Sequence, residues 1–124
     1  MNKHPTQAEV RRTIKRLIPE FGLERWTVGL TFERMDEPDA LAGCNPNWEY
    51  LDVRLAFDLH HDKWLDPSVS LTKIVAHELA HCLVNPLAVA ARDGSPDKSL
   101  IAKVEEMVVT HIERLPFIER LEDA

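Results

Sequence analysis

Cysteine is nearly missing from this chain: 124 residues carry only Cys44 and Cys82, too few for the disulfide scaffolding of small secreted domains. Cys82 falls inside a helical apolar pattern, where a free thiol behaves as a small hydrophobe. Basic excess is missing as well. With 15 Lys and Arg against 21 Asp and Glu, the formal net charge is −6 and the pI is near 5.5. Nucleic acids and anionic membrane surfaces select the opposite balance. No apolar leader comes first, since Met1-Asn2-Lys3-His4-Pro5 runs straight into a charged amphipathic segment, and no stretch reads as a bilayer span. Repeats, low-complexity tracts and linkers are also lacking. These absences predict a soluble, cytoplasmic protein whose partners include neither nucleic acid nor membrane. What is present, 44% hydrophobic and 29% charged residues, suits one globular domain, 1-124, with apolar mass for a single core.

The elements follow from periodicity. Thr6-Gln7-Ala8-Glu9 is a capping-box pattern, and Val10, Ile14, Leu17 and Ile18 then recur at helical spacing until Pro19 and Gly22 stop the run. From Trp26 the period becomes two: Trp26, Val28, Leu30 and Phe32 alternate with Thr27, Gly29, Thr31 and Glu33, the pattern of a half-buried strand. Leu51, Val53, Leu55 and Phe57 repeat it. Between them the turn-rich stretch 36–47 offers a short middle strand at Ala40 to Cys44, and the economical arrangement is an antiparallel meander. Asp66 as N-cap with Pro67 at the first helical position then predicts a helix running to Asn85-Pro86. A short helical piece from Pro86 to Arg92 closes at Gly94, a last helix starts near Ser95-Pro96 and ends before Pro116, and Phe117 to Ala124 forms a tail. The fold class is therefore α+β: an N-terminal helix, a small antiparallel sheet and two or three helices.

Between Leu71 and Val84 the helix is apolar nearly all round, interrupted only by Lys73, His77, Glu78 and His81. Such a helix is buried, and burying two imidazoles and a carboxylate costs several kcal/mol unless each finds a partner. A metal ion supplies one. His77 and His81 lie one turn apart on one side of the helix, close enough to share an ion at about 2 Å. Glu78 points into the next sector, within reach of a water in an open metal position.

The run His77-Glu78-Leu79-Ala80-His81 resembles the HExxH motif of the zincin metallopeptidases, and its uncharged flanks, Ile74 to Ala76 and Cys82 to Val84, are similar to that family too. The resemblance implies a zincin-like fold, a bound Zn2+, and peptide-bond hydrolysis with Glu78 as general base. A third protein ligand is then required. The metzincin extension would need Gly at 84 and His at 87, where this chain has Val84 and Leu87. Gluzincins take a glutamate from a following helix, which brings in Glu105 and Glu106. Helical phase favours Glu105, inside the arc of Leu100, Ile101, Val104, Met107, Val108, Val109, Ile112 and Leu115, and keeps Glu106 as the alternative, outside that arc with Glu113 and Thr110. His111, at the centre of the arc, is a further alternative, and Asp93 or Asp97 would suit an aspartate-type site. His60 and His61 read as turn residues, and Cys44 as a strand-end thiol that, near a zinc, would occupy its open position. Thr110 and turn carbonyls are available to orient the imidazoles.

By its size the chain resembles the small stand-alone zincin-like proteins of bacteria and phages, which implies a narrow cleavage of a peptide or protein substrate laid along the strand at Leu51 to Phe57 or the piece at Leu41 to Cys44. The competing expectation is a catalytically silent, zincin-like zinc-binding module acting as a protein-interaction domain.

Overall fold

A computed structural model describes residues 3–94 and 97–122. Helix α1 spans Gln7–Leu17, with both halves of the capping box formed: Thr6 Oγ1 accepts from the Glu9 amide at 3.1 Å, and Glu9 Oε1 accepts from the Thr6 amide at 3.2 Å. Val10, Thr13, Ile14 and Leu17 face inward. A 3-10 turn at Pro19–Phe21 ends in Gly22, whose φ of 69° is the left-handed conformation that a residue without a Cβ adopts at no cost.

Three six-residue strands follow: β1 (Thr27–Phe32), β2 (Ala42–Asn47) and β3 (Asp52–Phe57). They do not form an antiparallel meander. The order is β1-β3-β2, with β3 parallel to β1 (Val28 opposite Val53, Phe32 opposite Phe57) and antiparallel to β2 (Cys44 opposite Leu55). Alternation identifies strands and their inner faces but says nothing about their partners. Burial decides the centre: Val53, Leu55 and Phe57 are at most 1% exposed. The strand at Ala42–Asn47 carries Pro46 and lies at the edge, where a proline is tolerated, rather than in the middle. Leu51 is not part of β3. It closes the 3-10 turn Trp48–Tyr50 with a φ of 50° and is exposed.

The next helix starts later than the Asp66-Pro67 pattern predicts. Asp66 instead holds a local turn, accepting from the amide and hydroxyl of Ser68, each at 2.8 Å, and Ser70 is the N-cap of α2, accepting from the Lys73 amide at 3.2 Å. α2 then runs unbroken through Leu71–Asp93. The break expected at Pro86 does not occur; packing on Ala88 and along the neighbouring helix outweighs the hydrogen bond that the ring removes. As one 23-residue element, α2 is long and apolar enough to cross a membrane by length and composition, with a mean hydropathy of 1.4 over its best window, contrary to the sequence expectation. It packs against α1, β2 and both following helices.

Helix α3 covers Lys98–Glu113, capped by Asp97, whose Oδ1 accepts from the Leu100 amide at 2.9 Å. The expected start at Ser95-Pro96 lies outside the described residues. The predicted tail is helical instead: α4 spans Pro116–Glu122, buries Ile118 completely, and ties back to α2 through Glu122 and Lys73 at 3.6 Å. The core joins α1, the inner face of β3, the buried stripe of α2, Val109 of α3 and Ile118. The class is α+β, with a three-stranded mixed sheet and four α-helices among the described residues.

Candidate metal centre

The first half of α2 buries Val75, Ala76, Leu79, Ala80 and Cys82, which turns the opposite side of the helix, with His77 and His81, toward α3. The two rings stand 5.3 Å apart, centre to centre, at 69°. α3 returns alongside and brings three glutamates to them. Glu106 faces both rings, with Oε2 at 3.2 Å from His77 Nε2 and Oε1 at 3.0 Å from His81 Nε2. Behind each ring sits a different carboxylate: Glu113 Oε1 accepts from His77 Nδ1 at 2.9 Å, and Glu105 Oε2 accepts from His81 Nδ1 at 2.7 Å.

Each imidazole therefore has one nitrogen directed at a private acceptor and the other at a shared point. His77, His81 and Glu106 each offer a ligand atom, all within 4.8 Å of one another, and together could hold a metal ion. A tetrahedral ion with bonds of about 2 Å has ligand atoms roughly 3.3 Å apart, inside that 4.8 Å spread, and the two oxygens of Glu106 lie 3.2 and 3.0 Å from the Nε2 atoms of His77 and His81 respectively. The donor set fits.

Helical phase reads the burial of the two glutamates correctly and their roles differently. Glu105 is inward, with a side chain only 11% exposed, but inward here means against the far nitrogen of His81; Glu106, 58% exposed, is at the rim from which both Nε2 atoms are reached. His111 is exposed and lies with Met107, Thr110 and Arg114 on the outer side of α3, not at the centre of a buried arc. The arc itself is narrower than expected, because Leu100, Val104, Met107 and Val108 are all at least 40% exposed. Asp93 is an exposed residue at the end of α2, and Asp97 is a helix cap. His61 is also a cap, donating from Nε2 to the Pro38 carbonyl at 2.6 Å and accepting at Nδ1 from the Lys63 amide at 3.0 Å; with His60 it lines a separate cavity near the ends of β1 and β3. Glu113 is the residue that sequence reasoning left on the solvent side. Its signal was available in the hairpin geometry, since His77 sits about as far before Gly94 as Glu113 sits after it. The Nδ1 atoms, for which the sequence offers Thr110 as a partner, are met by Glu113 and Glu105.

Glu78 is 7% exposed. Burial raises its carboxyl above the usual range, against the opposing pull of His77 and His81. For His77, burial alone would favour the neutral ring, but the Glu113 hydrogen bond and the charges of Glu78, Glu106 and Glu113 outweigh it and raise its pKa. Cys44 is pushed up by its contact with the Cys82 thiol and by burial, and remains a neutral thiol.

Two clefts meet at the centre, sharing Ala42 and Glu78. One, of about 380 Å³, involves Leu41, Ile74, His77 and Glu113; the other, of about 480 Å³, involves residues Ala42 to Pro46 of β2 together with Glu78, His81, Glu105 and Glu106. β2 thus borders both with its unpaired edge. β3 cannot serve as a docking edge, because both its sides are occupied. Comparison with protein-family models, with curated proteins and with solved structures returns no match.

Proposed function

We propose that the chain is a zinc-dependent metallopeptidase of gluzincin type, with His77, His81 and Glu106 as ligands and Glu78 as general base. The observation that carries this reading is the double orientation of the two rings: both Nε2 atoms converge on Glu106, while each Nδ1 has its own carboxylate. Metal-binding histidines are held in this way, because the acceptor on the far nitrogen fixes tautomer and ring direction. Imidazole and carboxylate donors suit zinc, which, when bound, polarises a scissile carbonyl and acidifies the attacking water. Glu78 takes the proton of that water and returns it to the leaving amine, a task for a carboxyl whose proton affinity burial has raised. The open edge of β2 receives the peptide or protein substrate by strand addition. The polar groups His77, Glu78 and His81 on α2 suit a helix packed in a soluble, cytoplasmic protein better than one facing lipid.

Purified wild-type protein is expected to carry one zinc and to cut a proteome-derived peptide mixture. His77→Ala loses the metal; Glu78→Gln keeps it and loses cleavage by a factor of at least about 100. Unchanged cleavage by Glu78→Gln overturns the enzyme reading. Zinc without any cleavage by the wild type supports the silent zinc-binding module instead.

A further inference from the structure

Beyond His81, α2 continues along the 480 Å³ cleft, presenting Asn85, Val89 and Arg92 to it at successive turns. Arg92 is half-buried and is the only cation lining this cleft among the described residues. Three carboxylates among the described residues line the same cleft: Glu105 is engaged by His81 Nδ1 at 2.7 Å, Glu106 by the two Nε2 atoms at 3.0 and 3.2 Å, and Glu78 is buried, only 7% exposed. Among the described residues no carboxylate lies within ion-pair distance of the Arg92 guanidinium. A half-buried planar fork of N–H donors that lines a cleft and has no carboxylate within ion-pair distance is suited to a ligand carboxylate, which it binds through two parallel hydrogen bonds.

The position of Arg92 sets the register. Its Cα lies about 16 Å along the helix from that of His81 at about 1.5 Å per residue, and side chains lean back toward the helix N-terminus. The guanidinium is then on the order of 10 Å from the imidazoles, about three residues of extended peptide at roughly 3.3 Å each. Direction follows from the strand. Leu41 and Ala42 border the cleft beside His77, and Ala42 to Pro46 border the cleft that reaches Arg92, so β2 and α2 run the same way past the centre. A peptide added antiparallel to β2 therefore has its N-terminal side toward Arg92.

We infer that Arg92 is a specificity-determining residue that receives an aspartate or glutamate side chain two to four residues N-terminal to the scissile bond. The inference rests on the peptidase reading and names the substrate class for it. Cleavage of a proteome-derived peptide library by wild type is expected to enrich Asp and Glu at those positions. Arg92→Gln lowers kcat/KM for a matched acidic peptide about tenfold or more relative to its amide-side-chain analogue, while its zinc content stays that of wild type. Arg92→Glu shifts the enrichment toward Lys and Arg. Cleavage without acidic enrichment, or enrichment unchanged in Arg92→Glu, overturns the inference and leaves the peptidase reading standing. If zinc is bound but nothing is cut, fluorescence anisotropy of the zinc-loaded protein with the same acidic and amide peptides decides: tighter binding of the acidic peptide, lost in Arg92→Gln, supports the subsite, and equal or absent binding overturns it.

Discussion

A histidine that offers one ring nitrogen to a cation must place the other somewhere, and on the proposed reading that requirement gives a role to two glutamates that a search for ligands alone leaves without one. Glu113 and Glu105 hold the rings by their Nδ1 atoms. Glu113→Gln, which keeps shape but removes the charge, is expected to weaken zinc affinity about 10- to 100-fold while leaving one binding site per chain. Competition with a chromophoric chelator measures it; unaltered affinity would deny Glu113 its part. The histidines and Glu78 were legible from the sequence because their polarity contradicts the apolar helix around them. Which glutamate of α3 faces both Nε2 atoms was not, because helical phase reports which side chains are buried, whereas a side chain at the rim of a helix pair meets its partners by reach. Glu106 sits at that rim on an exposed side chain, and a pattern of burial counts it as solvent-facing.

Elements differ in how much of their cause is local. α1 was legible to its cap, because Thr6 and Glu9 act on one another within a single turn. That box also responds to pH. Its hydrogen bonds with Thr6 hold the Glu9 carboxyl below its usual 4.5, so the folded-state pKa is depressed, and the stabilisation is complete above the unfolded value and lost as pH falls through the folded one. The stability difference between wild type and Glu9→Gln, from urea melts, is expected to be constant above about pH 5 and to shrink as the pH falls below the usual carboxylate range; a gap that does not change with pH contradicts the assignment. α2 shows the reverse case. Pro86 reads as a stop, yet the helix passes through it, since tertiary packing on both sides supports more than one missing hydrogen bond costs. Pro86→Ala restores a donor to the ladder and is expected to stabilise the protein by about 1–2 kcal/mol, after the looser unfolded chain is allowed for. Destabilisation in thermal melts would mean that the ring itself fills space the fold needs. The sheet was legible strand by strand but not in order, because alternation fixes a face and leaves the choice of neighbour to long-range packing.

At the scale of the molecule, the fold is an arrangement for pressing α3 against α2. The sheet backs α2 through β2, α1 packs against it as well, and α4 adds Ile118 and the Lys73–Glu122 pair. The rings and carboxylates meet because two helices from distant parts of the chain lie side by side, so site and fold are coupled. An ion that binds only the folded state stabilises it by roughly 3–4 kcal/mol at a hundred- to a thousandfold excess over its dissociation constant. The central claim is that His77, His81 and Glu106 form one cation site, with Glu105 behind it. Isothermal titration of zinc into the metal-free protein tests this most directly when run on wild type, Glu106→Gln and Glu105→Gln. The account predicts a single site in wild type, its loss in Glu106→Gln, and a weakened but intact site in Glu105→Gln. A site that survives Glu106→Gln and disappears in Glu105→Gln, or a wild type that takes up no zinc, would contradict it.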